Sequence, residues 1–287
     1  MRKCKKFFRK SFKMDACLLL FILIVLIVYN FSFVSHAKNV YELPDEVKCV
    51  QNESKMIDDL IKGMKKHKSA FYYYYPGIDK SFLKYKRNGF RDFFDKVSKK
   101  NGYLTGILSG YCITICGDSQ LYVSIQVCYL TTKKQEKKID RKVKQIVKQI
   151  GKGNRAKKIL RAHDYLIKNM RYDNRYYSPY HAFSKGRGMC MAYALAFQRI
   201  MQEMQIPCLY VKGNDHAWNM VKIGKYWYNI DVTWDDSYSS YRYFLKCDRD
   251  FPGHNRPKSI LFKGILKAKR SYPLKSVVSY ATIFYDC

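Results

Sequence analysis

Hydrophobic residues follow two different periods along this chain, which separates predicted strands from predicted helices. Apolar and polar residues alternate over 120–130, and residues 103–116 precede them across a Gly-Asp-Ser turn, which predicts a β-hairpin. Over 133–150 the apolar residues recur at helical spacing, which predicts an amphipathic helix with a basic face. We expect this helix to pack onto the hairpin; attachment to a membrane surface is the alternative.

The remaining segments repeat these two signatures. Apolar residues at helical spacing predict helices over 54–66, 80–99, 155–170 and 190–205. Aromatic and β-branched residues predict strands over 70–75, 216–223 and 226–233, the last two joined by a Gly-Lys turn. This order predicts an α+β fold in which a smaller helix-plus-hairpin region precedes a C-terminal part.

The N-terminus has the features of a targeting segment. Seven basic residues precede an apolar run over 16–29, which continues more weakly to Val34 and is followed by Ser35-His36-Ala37. A cleaved signal peptide over 1–37 is the preferred interpretation and an uncleaved anchor is the alternative. Both place the chain after Lys38 outside the cytoplasm, secreted or anchored by the apolar segment.

The chain is strongly basic, with a formal net charge of +31. Without residues 1–37, 47 basic and 22 acidic residues remain, a net charge of +25. Such a charge favours anionic partners, such as a cell-wall polymer or a membrane surface. The lysines are scattered and no nucleic-acid motif accompanies them, so an ordinary basic surface is preferred and a nucleic-acid partner is disfavoured.

Ten cysteines are spread along the chain at irregular spacings. An exported chain could form disulfides from them, but a chain of 287 residues does not need them for stability. No second close pair of Cys or His accompanies Cys112 and Cys116, so we predict no metal site and no cofactor. Most of these cysteines are expected to be buried small hydrophobic residues.

Cys190 is the candidate nucleophile. It follows Gly188 closely and opens a stretch of good helix formers that extends to residue 205. We therefore place it in the first turn of a helix, where unpaired amides and the helix dipole favour a thiolate. The same amides can bind a developing oxyanion.

His216 and Asp231 are the candidate base and its orienting partner. They lie on the two predicted strands that flank the Gly-Lys turn. If Ile223 pairs with Tyr226, Asp231 lies opposite Trp218, and His216 and Asp231 project from the same face of the sheet. A carboxylate there can bind one imidazole nitrogen while the other nitrogen faces Cys190.

Three blocks of sequence resemble the bacterial transglutaminase-like superfamily, whose members have a papain-like core. The blocks are 188–194 (GMCMAYA), 213–219 (GNDHAWN) and 227–236 (WYNIDVTWDD), and the resemblance extends over about 155–257. It implies a nucleophile helix packed on an antiparallel sheet, in a catalytic domain over 153–287 that follows an N-terminal α/β region over 38–152. Ala192 departs from the glycine found in many relatives, which adds a methyl group near the nucleophile.

The resemblance implies a cysteine hydrolase or acyltransferase with Cys190 as nucleophile, His216 as base and Asp231 as orienting residue. Its expected substrates are protein or peptide amides, and hydrolysis is favoured over cross-linking because water needs no dedicated site. Trp218 and Trp234 are expected to pack around these residues. His163 and His254 match recurrent family positions, and a structural role is preferred for each.

A rival interpretation is a non-catalytic basic protein of the same fold that binds anionic wall or membrane polymers. A metal site formed by Cys190, His216 and Asp231 is disfavoured because a fourth ligand is missing. The sequence does not indicate an oligomeric state.

Overall fold

The computed structural model describes residues 47–76, 82, 84–85, 89–117, 120–238 and 240–273. The chain divides into two compact units, one within residues 1–91 and 108–128 and the other within residues 92–107 and 129–287. Helices are combined with sheets whose strands are mainly antiparallel, which is the predicted α+β fold. The predicted signal segment over 1–37 lies outside the described residues.

The first unit contains a four-stranded sheet and a helix. The sheet has the order β1-β2-β4-β3, formed by β1 (Lys48–Cys49), β2 (Ala70–Tyr75), β3 (Leu108–Cys116) and β4 (Leu121–Tyr129). The predicted hairpin is therefore present as β3 and β4. Helix α1 (Glu53–Met64) follows Asn52, whose side chain accepts a hydrogen bond from the Lys55 amide at 3.0 Å.

Helix α2 (Arg91–Gly106) ends later than the sequence predicts. Its backbone leaves the helical region at Asn101 (φ −156°, ψ 86°) and then resumes a helical path. The Asn101 side chain accepts a hydrogen bond from the Leu104 amide at 3.2 Å, so it caps the second segment. The asparagine–glycine pair thus separates two helical segments, the first of which ends close to the predicted position. The second extends to Gly106, so the following strand begins at Leu108 instead of residue 103.

The core of the second unit forms around helix α6 (Cys190–Glu203). Helices α3 (Lys133–Ile150), α4 (Arg155–Asn169) and α5 (Pro179–Lys185) pack against it. Most residues of α6 are buried, including the large side chains Tyr193 and Phe197. This burial on several sides explains why α6 lacks a polar face in the sequence.

Helix α3 has the predicted bounds, but its packing differs from the prediction. Thr132 and Gln135 form a capping box at its start, which explains the sharp N-terminal boundary. Its apolar side, including Ile139, Val143 and Ile146, lies in the core with α4, α5 and α6. The expected partner was the hairpin. The boundary at residue 152 between the two proposed domains stays a prediction, although α3 belongs to the compact unit that contains α6.

A three-stranded antiparallel sheet supports the other side of α6. Its order is β7-β8-β9, formed by β7 (Cys208–Lys212), β8 (Ala217–Ile223) and β9 (Tyr226–Ile230). Ile223 pairs with Tyr226, as predicted. The buried Asn219 side chain donates a hydrogen bond to the Ala194 carbonyl at 3.1 Å and so ties β8 to α6.

The exposure of the cysteines corrects one expectation. Cys49, Cys112 and Cys128 are exposed, whereas Cys116, Cys190 and Cys247 are buried. Cys208 is half-buried, so only three of the seven described cysteines are buried. None of the helices in the described ranges has the length and apolar character needed to cross a membrane.

Candidate functional site

Cys190 is the first residue of α6 and is 5% exposed. No side chain caps this end of the helix; the preceding residue is Met189. The amides of Cys190 and Met191 have no carbonyl four residues earlier in the helix to bind, as at any helix N-terminus. The positive end of the helix dipole and these amides therefore surround the thiol, as the sequence predicts.

Close packing fixes the loop that leads into Cys190. A Cβ added to Gly188 would lie 2.4 Å from the Cβ of Ala192, a distance that real Cβ atoms do not adopt. Glycine is therefore required at position 188 because position 192 carries a methyl group. The methyl group of Ala192 thus constrains the backbone at position 188, two residues before the nucleophile.

A short parallel pair of strands anchors the same loop. Strand β5 (Arg171–Tyr172) pairs with β6 (Arg187–Gly188), and the amide of Met189 donates to the Tyr176 carbonyl at 2.7 Å. Asp173 follows β5 and binds both Arg175 and Arg187, which hold its pKa well below the usual range although burial opposes the shift. The segment after α4 therefore holds the residues just before Cys190 in place.

The sheet brings His216 and Asp231 together, although not as a continued pair of strands. Strand pairing ends at Asn219 and Ile230, so His216 precedes β8 and Asp231 follows β9. Asp231 begins helix α7 (Val232–Tyr238): its Oδ1 accepts the amides of Thr233 and Trp234 at 2.9 and 3.2 Å. The predicted strand over 226–233 is therefore too long, and a helix cap aims the carboxylate.

The Asp231 carboxylate binds His216 directly. Its Oδ2 accepts a hydrogen bond from His216 Nε2 at 2.6 Å. The side chain of Asp231 is 1% exposed and that of His216 is 16% exposed. Burial raises the pKa of Asp231, but the hydrogen bonds from His216 and His254 outweigh burial, and the net pKa is lowered. Asp231 is therefore an ionised acceptor.

His216 also interacts with Cys190. Burial lowers the pKa of His216, but its interactions with Asp231 and then with Cys190 raise it to about 9 overall. Because Nε2 is bound to Asp231, Nδ1 is the nitrogen that remains for the thiol. The structure thus brings together all three residues that the sequence singles out, with the imidazole between the thiol and the carboxylate.

His254 lies in the same cluster, and the structural role that the sequence favours for it stays a prediction. Its Nε2 lies 2.8 Å from Asp231 Oδ2, the oxygen that also binds His216. The two imidazole rings lie 5.3 Å apart between centroids. His254 is in an irregular segment without a repeating pattern, so the sequence carried only the family match as a signal for it.

Aromatic side chains enclose both imidazoles. Trp218 and Trp234 lie 6.1 and 5.1 Å from His216, measured between ring centroids, and Phe251 lies 3.8 Å from His254. The predicted role of the two tryptophans as packing residues agrees with these contacts. Apolar walls exclude water and strengthen the hydrogen bonds to Asp231.

Two tyrosines flank the thiol. Tyr210 packs against the cluster of Cys190, Ala194 and Ala217, and Tyr172 of β5 is 55% exposed. Burial, followed by the charge of Cys190, raises the pKa of both tyrosines.

His163, the other family-matched histidine, lies outside this cluster. It is fully buried, with Nδ1 3.1 Å from Asp164 and Nε2 3.0 Å from Asp235. These contacts join α4 to α7, which agrees with the structural role predicted for His163.

The group also has the composition of a weak metal site. His216, Asp231 and His254 each offer one ligand atom, and these atoms lie within 4.8 Å of one another. The distances of 2.6 and 2.8 Å between nitrogen and oxygen are those of hydrogen bonds. Three ligand atoms are one fewer than a structural zinc site uses, and a catalytic zinc site uses three together with a water. The expectation that the chain holds no metal stays a prediction.

Comparison with known proteins gives a family for part of the chain. Residues 144–232 match the family model of the transglutaminase-like superfamily. The matched segment contains Cys190, His216 and Asp231 and stops before His254. No curated protein matches the chain.

Two solved structures are similar to parts of the chain. One is a TGase, with 12% identity and a TM-score of 0.34 over 57% of this chain and 51% of its own. The other is a proposed cysteine protease from Cytophaga hutchinsonii, with 15% identity and a TM-score of 0.30 over 44% of this chain and 65% of its own. The chain thus spans about half of the first protein and just under two thirds of the second.

Proposed function

Because residues 144–232 carry a transglutaminase-like domain, we propose that this chain is a thiol-dependent acyl-transfer enzyme that acts on protein or peptide amides. Cys190 is the nucleophile, His216 the acid and base, and Asp231 the residue that orients His216. One observation carries this proposal: a buried carboxylate is hydrogen-bonded to an imidazole, and that imidazole interacts with a thiol at the first turn of a helix.

The first half of the reaction forms a thioester. The Cys190 thiolate attacks the amide carbonyl carbon, a carbon–sulfur bond forms, and the carbonyl oxygen becomes an oxyanion bound by first-turn amides of α6. The carbon–nitrogen bond then breaks, and the amine leaves with the proton that the His216 imidazolium donates. Asp231 stabilises that imidazolium throughout.

The second half of the reaction returns the enzyme to its starting state. Water, or an amine in a cross-linking reaction, attacks the thioester and gives its proton to the now neutral His216. The carbon–sulfur bond breaks and Cys190 leaves as a thiolate beside the imidazolium. We favour hydrolysis because water needs no acceptor site. A primary amine as acceptor is the other outcome of the test.

The proposed place of action is outside the cytoplasm, where the chain is secreted or anchored by its N-terminal segment. This part rests on the basic residues and apolar run within residues 1–37. Protein or peptide amides at the cell surface are then the accessible substrates.

The test compares thiol reactivity among cysteines of different exposure. Cys190 is nearly buried, whereas Cys112 and Cys128 are exposed. If exposure alone controlled alkylation, the two exposed thiols would react with iodoacetamide first. We expect Cys190 to react at least tenfold faster than they do at pH 7, because only the thiolate is nucleophilic. Peptide mapping by mass spectrometry measures each rate.

His216→Ala is the decisive variant. We expect it to abolish the rate advantage of Cys190 while the rates at Cys112 and Cys128 stay the same. An unchanged rate and pH profile at Cys190 would sink the thiolate–imidazole assignment. In parallel, incubating the parent with peptide extracts and analysing the adduct on Cys190 identifies the acyl group. Added primary amine distinguishes transfer from hydrolysis.

A further inference from the structure

His254 completes a second hydrogen-bonded pair inside the candidate site. Its side chain is 0% exposed, as buried as that of Asp231, although its backbone lies in a partly exposed segment. Nε2 lies 2.8 Å from Asp231 Oδ2, and Nδ1 lies 2.9 Å from the Pro252 carbonyl oxygen. Both ring nitrogens are therefore engaged at hydrogen-bonding distance.

Both partners of His254 can only accept hydrogen bonds. A carbonyl oxygen has no proton, and the Asp231 carboxylate is ionised. Nε2 therefore donates to the oxygen that Asp231 shares with His216, and the contact of Nδ1 with the Pro252 carbonyl holds the ring in that orientation.

The position of His254 is fixed by its surroundings. Phe251, Trp234 and Trp218 lie 3.8, 4.2 and 5.0 Å from its ring, measured between centroids. These contacts allow little rotation of the imidazole. The donor directed at Asp231 is therefore held in place before any substrate binds.

We propose that His254 is a positioning residue that fixes the Asp231 carboxylate through the oxygen shared with His216. This inference rests on the proposed function. His254 does not contact the thiol, so it acts through Asp231 and His216. The titratable groups that face it are Asp231, His216 and Tyr243, the last at 5.5 Å between centroids.

Two substitutions separate the donor from the ring. His254→Gln retains an N–H donor near the position of Nε2 but loses the aromatic ring. His254→Phe retains the ring and its packing but loses both donors. The measurement is the alkylation rate of Cys190 by iodoacetamide from pH 4 to pH 10, with circular dichroism to verify folding.

The positioning role predicts that Gln performs better than Phe. We expect His254→Phe to lower the plateau rate about tenfold, the loss expected for one hydrogen bond to a charged group. His254→Gln should restore the plateau to within about threefold of the parent. His254→Phe should also move the acidic midpoint upward, since an Asp231 carboxylate that is less well fixed supports the His216 imidazolium, and with it the thiolate, less well.

A packing role predicts the reverse order. Phe would then resemble the parent, Gln would be the worse variant, and neither would shift the midpoint; this result overturns the proposal. If His254→Phe does not fold, His254→Met takes its place as the variant without a donor. His216→Ala is measured alongside. If His216→Ala keeps the parent alkylation rate at Cys190, the proposed function fails. If His216→Ala loses that rate and the His254 variants keep it, only the role of His254 fails.

Discussion

At the scale of single residues, the methyl group of Ala192 determines which residue can occupy position 188. The loop before Cys190 runs so close to α6 that a Cβ on Gly188 would lie 2.4 Å from that methyl group. Neither atom belongs to a flexible side chain, so the backbone would have to move. Such a movement displaces Cys190, two residues further along.

Gly188→Ala should therefore destabilise the protein and reduce the reactivity of Cys190. We expect a loss of about 1–3 kcal/mol in the free energy of unfolding, typical of overpacking. Ala192→Gly alone should cost about 1 kcal/mol because glycine disfavours helix. Urea denaturation and the alkylation rate of Cys190 give both readouts.

The double variant tests whether this contact is the cause. Gly188→Ala with Ala192→Gly removes the clash and should cost less than the two single changes together. Gly110→Ala is the control, because a Cβ at Gly110 meets nothing within 4 Å. Additive losses at positions 188 and 192 would show that the Ala192 methyl group is not what requires glycine.

At the scale of elements, a buried histidine holds helix α7 against helix α4. Burial lowers the pKa of His163, but hydrogen bonds to Asp164 and Asp235 outweigh it and raise the pKa to about 9. Asp164 also accepts the Tyr241 hydroxyl, and Asp235 accepts the Tyr243 amide. Since Asp231 begins α7, this cluster also supports the carboxylate that binds His216.

The raised pKa predicts how stability depends on pH. The folded state holds the His163 proton to about pH 9, whereas an unfolded histidine releases it near pH 6.5. This contribution is therefore fully present below pH 6.5 and is lost as the pH rises through 9, at up to about 1.4 kcal/mol per pH unit. Urea denaturation at pH 6, 7.5 and 9 measures it.

His163→Gln should flatten that dependence without removing it. His216 also has a pKa near 9 and contributes with the same sign. His181→Gln is the matched control, since burial and then Lys185 lower the pKa of His181. A slope between pH 6.5 and 9 that is the same in His163→Gln as in the parent contradicts the buried imidazolium.

The helices and strands also show how much of the fold the sequence predicts. Helix α3 and strand β2 have the predicted bounds because a capping box and a proline mark their ends. The strand predicted to contain Asp231 ends one residue before it, since Asp231 caps α7. An aspartate at a helix start is a recognisable signal, but the seven residues of α7 are too few to show a period.

Contacts distant in sequence were beyond prediction. Strands β5 and β6 have two residues each, which is too short to show an alternation of apolar and polar residues. His254 meets Asp231 only because the segment after α7 returns to the sheet. Cys190, His216 and Asp231 were predictable because a helix start and a tight turn position them locally.

At the scale of the whole molecule, helix α3 presents a surface through which the excess positive charge can bind anionic partners. Helix α3 buries its apolar side in the core, so it has no hydrophobic face left to insert into a membrane. Its other side exposes a stripe of cations at helical spacing: Lys137, Arg141, Lys144 and Lys148. Any binding of this helix to anionic surfaces is then electrostatic and sensitive to salt.

The Cys190→Ala protein should bind vesicles containing phosphatidylglycerol and detach as salt is raised towards about 0.5 M. Replacing the four stripe cations by Gln should weaken binding more than replacing Lys62, Lys152, Lys225 and Lys269, which leaves the same net charge. Sedimentation with vesicles measures both.

Binding that does not respond to salt contradicts the electrostatic interpretation. Strong binding in a parent without thiol reactivity favours the non-catalytic rival.

The Asp231 carboxylate divides its two oxygens between different tasks. Oδ1 accepts the amides of Thr233 and Trp234, and Oδ2 accepts both imidazoles. All four partners are donors, so an asparagine here would always turn its NH₂ group towards another donor. To face that NH₂, His216 would have to adopt the tautomer with its proton on the Cys190 side, where it cannot take a proton from the thiol. The four neighbouring donors thus require a side chain that only accepts hydrogen bonds, which aspartate does and asparagine does not.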